Sequence, residues 1–180
     1  MFYGGNEIRD LFAEKVHGVF GEVKCSFAPQ LESYLVDLLV HFSPADAVYR
    51  ISDVEGRPIR TIDAFLYDAD PVRGNAPSFD YERKRRKYLG DLILFCMGFL
   101  PERRRKVPFL HGEPEGRLYN IAEESYEIVS AFDVFEYENE APLFRTLAQN
   151  FSGMKYGLSL VKDSFGREMR SGSGPPWRSH

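Results

Sequence analysis

Residues 78–106 read SFDYERKRRKYLGDLILFCMGFLPERRRK, a basic run, a strongly apolar run and a second basic run. Tyr81, Tyr88, Leu92, Phe95 and Phe99 follow at spacings of seven, four, three and four. A helix lines such residues along one side. Leu89, Ile93, Cys96 and Leu100 take the adjoining side, so the last turns are apolar around most of their circumference. That pattern predicts a central helix covered by several neighbours, not a surface helix. Ser78 is placed to cap its start, Asp80 and Glu82 suit the positive end of the helix dipole, and Pro101 marks the stop. The apolar run from Tyr88 to Leu100 is 13 residues long and holds Asp91. Spanning a bilayer takes roughly 20 apolar residues, so no membrane insertion is expected.

On the N-terminal side of this segment, Ile8, Leu11, Phe12, Val16, Val19 and Phe20 form one apolar stripe, with Asn6 as its expected cap and Gly21 near its end. A second helix is expected from residues 26–29, where Leu31, Tyr34, Leu35, Leu38, Leu39 and Phe42 keep strict helical spacing until Pro44. Between them and the central helix, VYRI and IRTI could pair as a short hairpin near 48–62, followed by a short helix over 62–67 and a Pro/Gly-rich loop over 68–77.

Beyond the second basic run, a helix starting near Gly116 carries Leu118, Ile121, Ala122, Ser125, Val129 and Phe132. Its small residues allow close approach to a neighbour. Glu140 and Pro142 open a further helix with Leu143, Phe144, Leu147 and Phe151, and Ser152-Gly153 is expected to break it before Met154, Leu158 and Val161. The whole predicts an all-α, single-domain bundle of about six helices over residues 1–165. Residues 166–180, ending SGSGPPWRSH, are expected to be a disordered tail, with Trp177 its one large apolar group.

The chain of 180 residues has 43% hydrophobic residues, enough for a sizeable core, and a net charge of −4. That balance does not by itself draw it to nucleic acid or an anionic membrane. Its distribution is uneven: residues 83–106 carry nine basic side chains against Asp91 and Glu102, a local +7, which leaves −11 for the rest. Cys25 and Cys96 lack metal-ligand spacing and predict reduced thiols, and the N-terminus lacks the form of a secretory signal, so the expected compartment is cytoplasmic.

Candidate sites follow from charge. Arg83, Arg85, Arg86, Arg103, Arg104 and Arg105 could bind phosphate groups, with Tyr81 and Tyr88 available for stacking on bases. The runs lie some 20–25 Å apart along a helix rising about 1.5 Å per residue. Their competing use is structural, pairing with acidic neighbours such as YEIVSAFDVFEYENE, or binding a protein partner or a second copy. Asp91 is the buried polar candidate, needing hydrogen-bonding partners whether it serves structure or a ligand.

For a carboxylate-bridged metal, Glu14 and His17 form the one Glu-x-x-His motif where such bundles need two, and Asp37 with His41 adds one further pair. No metal or other cofactor is therefore expected. His111 and Glu113 sit in a Pro/Gly-rich loop of the kind that can hold a site. The phosphate-loop, dinucleotide, zinc-protease, nucleophile-elbow and C-x-x-C motifs are missing, which turns the expectation away from an enzyme.

The succession YLVDLLVHF, KYLGDLILFCMGFLPERRR, LYNIAEESYEIVS and LFRTLAQNFSGMKYGLSLV, covering about residues 28–162, resembles a family of uncharacterised bacterial helical proteins, most recognisably in LGDLILF and GFLPE. The resemblance implies a helical fold and brings no activity. The expected function is thus a non-catalytic interaction or regulatory module working through charged surfaces, with a protein partner or self-association. Nucleic-acid or phosphate-ligand binding is the first alternative, and a carboxylate/histidine metal protein or enzyme the second.

Overall fold

A computed structural model describes residues 5–21, 28–44 and 51–170, and these are all-α, with no strand among them. Seven α-helices succeed one another: α1 (Gly5–Phe20), α2 (Ala28–Phe42), α3 (Ile62–Ala69), α4 (Phe79–Leu94), α5 (Glu115–Ala131), α6 (Ala141–Gln149) and α7 (Phe151–Arg170). The predicted central segment is α4 and a π-helical turn, Phe95–Phe99, that continues it. Ser78 caps α4, its Oγ accepting the Tyr81 N–H at 3.1 Å. The π turn closes with the Leu100 N–H donating to the Phe95 carbonyl at 3.0 Å. Pro101 has no N–H to offer the carbonyl of Met97, so the ordinary ladder cannot continue there and the chain widens before a 3-10 turn over Pro101–Lys106.

Leu89 and every residue from Leu92 to Cys96 are fully buried, so this segment is the axis of the core. α5 packs along α4, α6 packs on α5, α3 lies against α4, and α7 lies against the π turn and α1. α1 meets α7 at Gly157, where a Cβ would fall 2.1 Å from the Phe20 ring. Any larger residue there would displace that ring.

The seven α-helices among the described residues agree with the expected bundle of about six. Several boundaries differ from the sequence reading. Asn6 is inside the first turn of α1, which begins at Gly5. The break between the last two helices falls at Asn150, and α7 runs through Ser152 and Gly153. Asn150 closes α6 with its N–H on the Thr146 carbonyl and offers its own carbonyl to the Met154 N–H, so one residue serves both helices. α7 also continues to Arg170, past the expected end of the helical domain at 165.

The region before α3 is a loop with one antiparallel bridge, Ser52 with Pro58, flanked by the Ile59 N–H on the Ile51 carbonyl, in place of a paired VYRI–IRTI hairpin. Residues 48–50 of VYRI, Cys25 and the segment with Trp177 lie outside the described residues. Cys96 is a free, buried thiol that burial pushes up to about 12. Among the described residues, no helix is long and apolar enough to cross a membrane.

Candidate functional site

The first basic run is sorted by helix face. Arg83 and Arg86, three residues apart, turn toward α5 and the chain leading into α6. The Arg83 Nη2 donates to Glu140 at 2.6 Å and its guanidinium lies 3.7 Å over the Tyr137 ring. Arg86 stands 3.8 Å from Glu124, and its buried Nε and Nη1 have no hydrogen-bond partner. Arg85 turns to α3, 2.7 Å from Asp68 and 4.2 Å over the Phe65 ring. Asp68 is itself buried and also accepts the Tyr81 hydroxyl at 2.8 Å and the Val54 N–H at 2.9 Å. Guanidinium groups suit these places because they form planar forks and stack on rings while being weakly hydrated.

The lysines of the same run take a different face. Lys84 and Lys87 point toward α2, with Tyr88 and Asp91 continuing the stripe at helical spacing. Opposite them stand Tyr34, Asp37, Leu38 and His41 of α2, again at i, i+3, i+4 and i+7, with Phe42 beside them. α2 leans mainly on α1 and α4 mainly on α5, and the gap between the stripes is a cleft of about 420 Å³.

Asp91 forms part of that cleft and is only 5% exposed. Its Oδ1 accepts the Tyr34 hydroxyl at 2.5 Å and the Tyr126 hydroxyl at 2.9 Å, and its Oδ2 accepts Lys87 Nζ at 3.0 Å. Burial, with the Asp91 charge added, holds both tyrosines well above the ordinary phenol range, so they remain donors. Three donors, one of them the Lys87 counter-charge, supply what a buried carboxylate needs. Tyr34 and Tyr126 belong to different helices 57 and 35 residues away. Their spacing in the sequence carried no signal for this convergence.

The second basic run divides as well. Arg103 is buried and donates to the carbonyls of Phe42 at 2.6 Å, Ser43 at 2.8 Å and Pro44 at 3.1 Å. It therefore closes the C-terminus of α2, not that of its own helix. Arg104 donates to the Glu113 carbonyl, whereas Arg105 and Lys106 are exposed. Glu113 also takes Arg117 at 2.7 Å, and His111 is exposed beside it. His17 pairs with Glu32 at 2.9 Å and Glu14 with Lys15 at 3.2 Å, so the two motif residues do not converge. Among the described residues, no three His, Cys, Asp or Glu side chains gather in the manner of a metal site.

No protein-family model, curated protein or solved structure matches this chain.

A second region stands out at the N-terminal end of α4. The loop after α5, FDVFEYENE over 132–140, is tied to α4 by the Tyr137 hydroxyl on Asp80 and by Glu140 on Arg83. At its tip Val134 is 55% exposed and Phe135 86% exposed, and Phe135 has φ +51°. Asp133, Glu136 and Glu138 around it are exposed. Phe79, Tyr67, Val72 and Val54, also exposed, sit in α4's first turn or in segments hydrogen-bonded to its start.

Proposed function

We propose that the protein is an interaction module whose acidic, aromatic-tipped end docks on a protein partner. The carrying observation is Phe135, an exposed aromatic side chain held at positive φ. An L-residue in that conformation costs roughly 1–2 kcal/mol, and an exposed ring recovers none of it by burial. Aromatic side chains are the usual energetic anchors of interfaces. The surrounding Asp133, Glu136 and Glu138 call for a partner with an apolar pocket rimmed by basic groups. By contrast, Arg83, Arg86 and Arg103 are buried, which favours the acidic surface over the basic runs as the place of contact.

A photo-reactive residue at position 135 tests this, with one at Tyr156, which is 66% exposed, as control. The reading expects one cross-linked protein at 135, not at 156, that is lost when Asp133, Glu136 and Glu138 are replaced by lysine in a chain that melts normally. Cross-linking equally at both positions would overturn it. A cross-link to a second copy would make the contact self-association.

A further inference from the structure

The hydrogen-bonding inventory of the cleft between α2 and α4 is lopsided. Both of its carboxylates have a cationic partner: Asp37 is paired through one oxygen with Arg9, and Asp91 is held by Tyr34, Tyr126 and Lys87. Its donors keep protons to spare. Lys84 gives one of its three protons to Asp80 at 2.6 Å, and Lys87 gives one to Asp91. The Tyr88 hydroxyl, kept protonated by burial, donates to no described residue, and the exposed His41 imidazole faces the same space. Apolar surface completes the lining: Leu38, and the Phe42 ring with Tyr88 at 5.6 Å and His41 at 4.6 Å from it. About 420 Å³ falls within the range of small-ligand pockets, roughly 300–1,000 Å³.

We propose that this cleft is a binding site for a small organic anion, a carboxylate or phosphate carried on a flat apolar body. The anion would take the spare protons of Lys84 and Lys87 at the mouth, and the flat body would lie along Leu38, Phe42 and Tyr88. The sorting of the basic run supports this assignment. Its arginines face Glu140, Asp68 and Glu124 of the same chain, while its two lysines, compact charges with free protons, are left on a face that borders an open cavity. This inference does not rest on the docking reading, although Asp80, which takes both the Tyr137 hydroxyl and Lys84, joins the two regions.

The test is an NMR titration of the full chain with phenyl phosphate, benzoate and benzylamine, following the Leu38 methyl groups and the Tyr34 and Tyr88 rings. The proposal expects saturable shifts at these groups with at least one anion and none with benzylamine. The tighter anion then identifies the headgroup. Lys84 is exposed, so Lys84→Gln leaves the fold intact and should weaken the anion about fivefold. Tyr88→Phe should weaken it with unchanged melting. Binding of benzylamine as tight as that of the anions would overturn the proposal. So would the absence of shifts at these groups with both anions, or Lys84→Gln and Tyr88→Phe chains that both bind as the parent does.

Discussion

The Tyr126 hydroxyl reaches Asp91 across 2.9 Å over a backbone position, Gly90, at which a Cβ would lie 2.9 Å from the Tyr126 ring. The pair exists because residue 90 has no side chain. Gly90→Ala should therefore push the ring away from the carboxylate. Overpacking of this kind costs roughly 1–3 kcal/mol, against about 0.5–1 kcal/mol gained by removing a helical glycine. The expected net is a loss of about 1–2 kcal/mol, read as a lower urea midpoint at unchanged slope. An unchanged or higher midpoint would show that the ring yields freely.

Arg103 holds three carbonyls at the end of α2 from one guanidinium. Arg103→Met removes the donors and leaves at least the buried carbonyls poorly satisfied, an expected cost of about 2–3 kcal/mol. Arg103→Lys should fall between, because one ammonium cannot reproduce the planar fork. Hydrogen exchange at the last turn of α2 should quicken in both. Loss of nucleic-acid binding without loss of stability would instead place Arg103 at a surface site.

Alkaline pH should destabilise the fold. Burial raises Tyr88 to about 12, and holds Tyr34 and Tyr126 above the ordinary phenol range. In an unfolded chain these groups lose their protons near pH 10. Above about pH 10 the unfolded state therefore binds fewer protons than the fold, and stability falls as pH rises towards the folded values. Below about pH 9 their contribution is complete and flat. Urea midpoints measured from about pH 8 to pH 11.5 should show that fall, with the buried Cys96 thiol adding its share from about pH 8.5, and Tyr88→Phe should soften the tyrosine part.

Phe135→Asn replaces an exposed ring by a residue that tolerates the left-handed region. Stability should stay level or rise by up to about 1 kcal/mol. Partner capture at this end should be lost. A stability loss above that size would mean that the ring serves the fold.

The coupling between Arg83 and Glu140 should be modest despite their 2.6 Å contact, because Glu140 is half exposed and screened. A double-mutant cycle is expected to give about 1 kcal/mol or less.

How much was legible in the sequence depends on how local the signal is. The stripe of Leu31, Leu35, Leu38, Leu39 and Phe42, the Ser78 cap and the near-continuous apolar run after Tyr88 are set by neighbours within a few turns, and each appears as read. Ser152-Gly153 has breaker composition, yet the carbonyls and N–H groups of the two helices are shared out at Asn150, and the break falls there. Asp91 could be recognised as a polar residue in an apolar segment. Asp68 could not, since nothing near it in the chain announces that Arg85, Tyr81 and the Val54 N–H will close around it.

The amino-acid sequence by itself determined the all-α class, the central segment and most helix limits, because periodicity, caps and prolines act through bonds a few residues long. Only the tertiary structure decided which members of KRRK turn inward, which residues neutralise them, and where a cleft remains. Those outcomes depend on which helix packs against each face of α4. Side chains 35–57 residues apart enter that choice, and desolvation charges a cost to any cation or carboxylate they fail to pair.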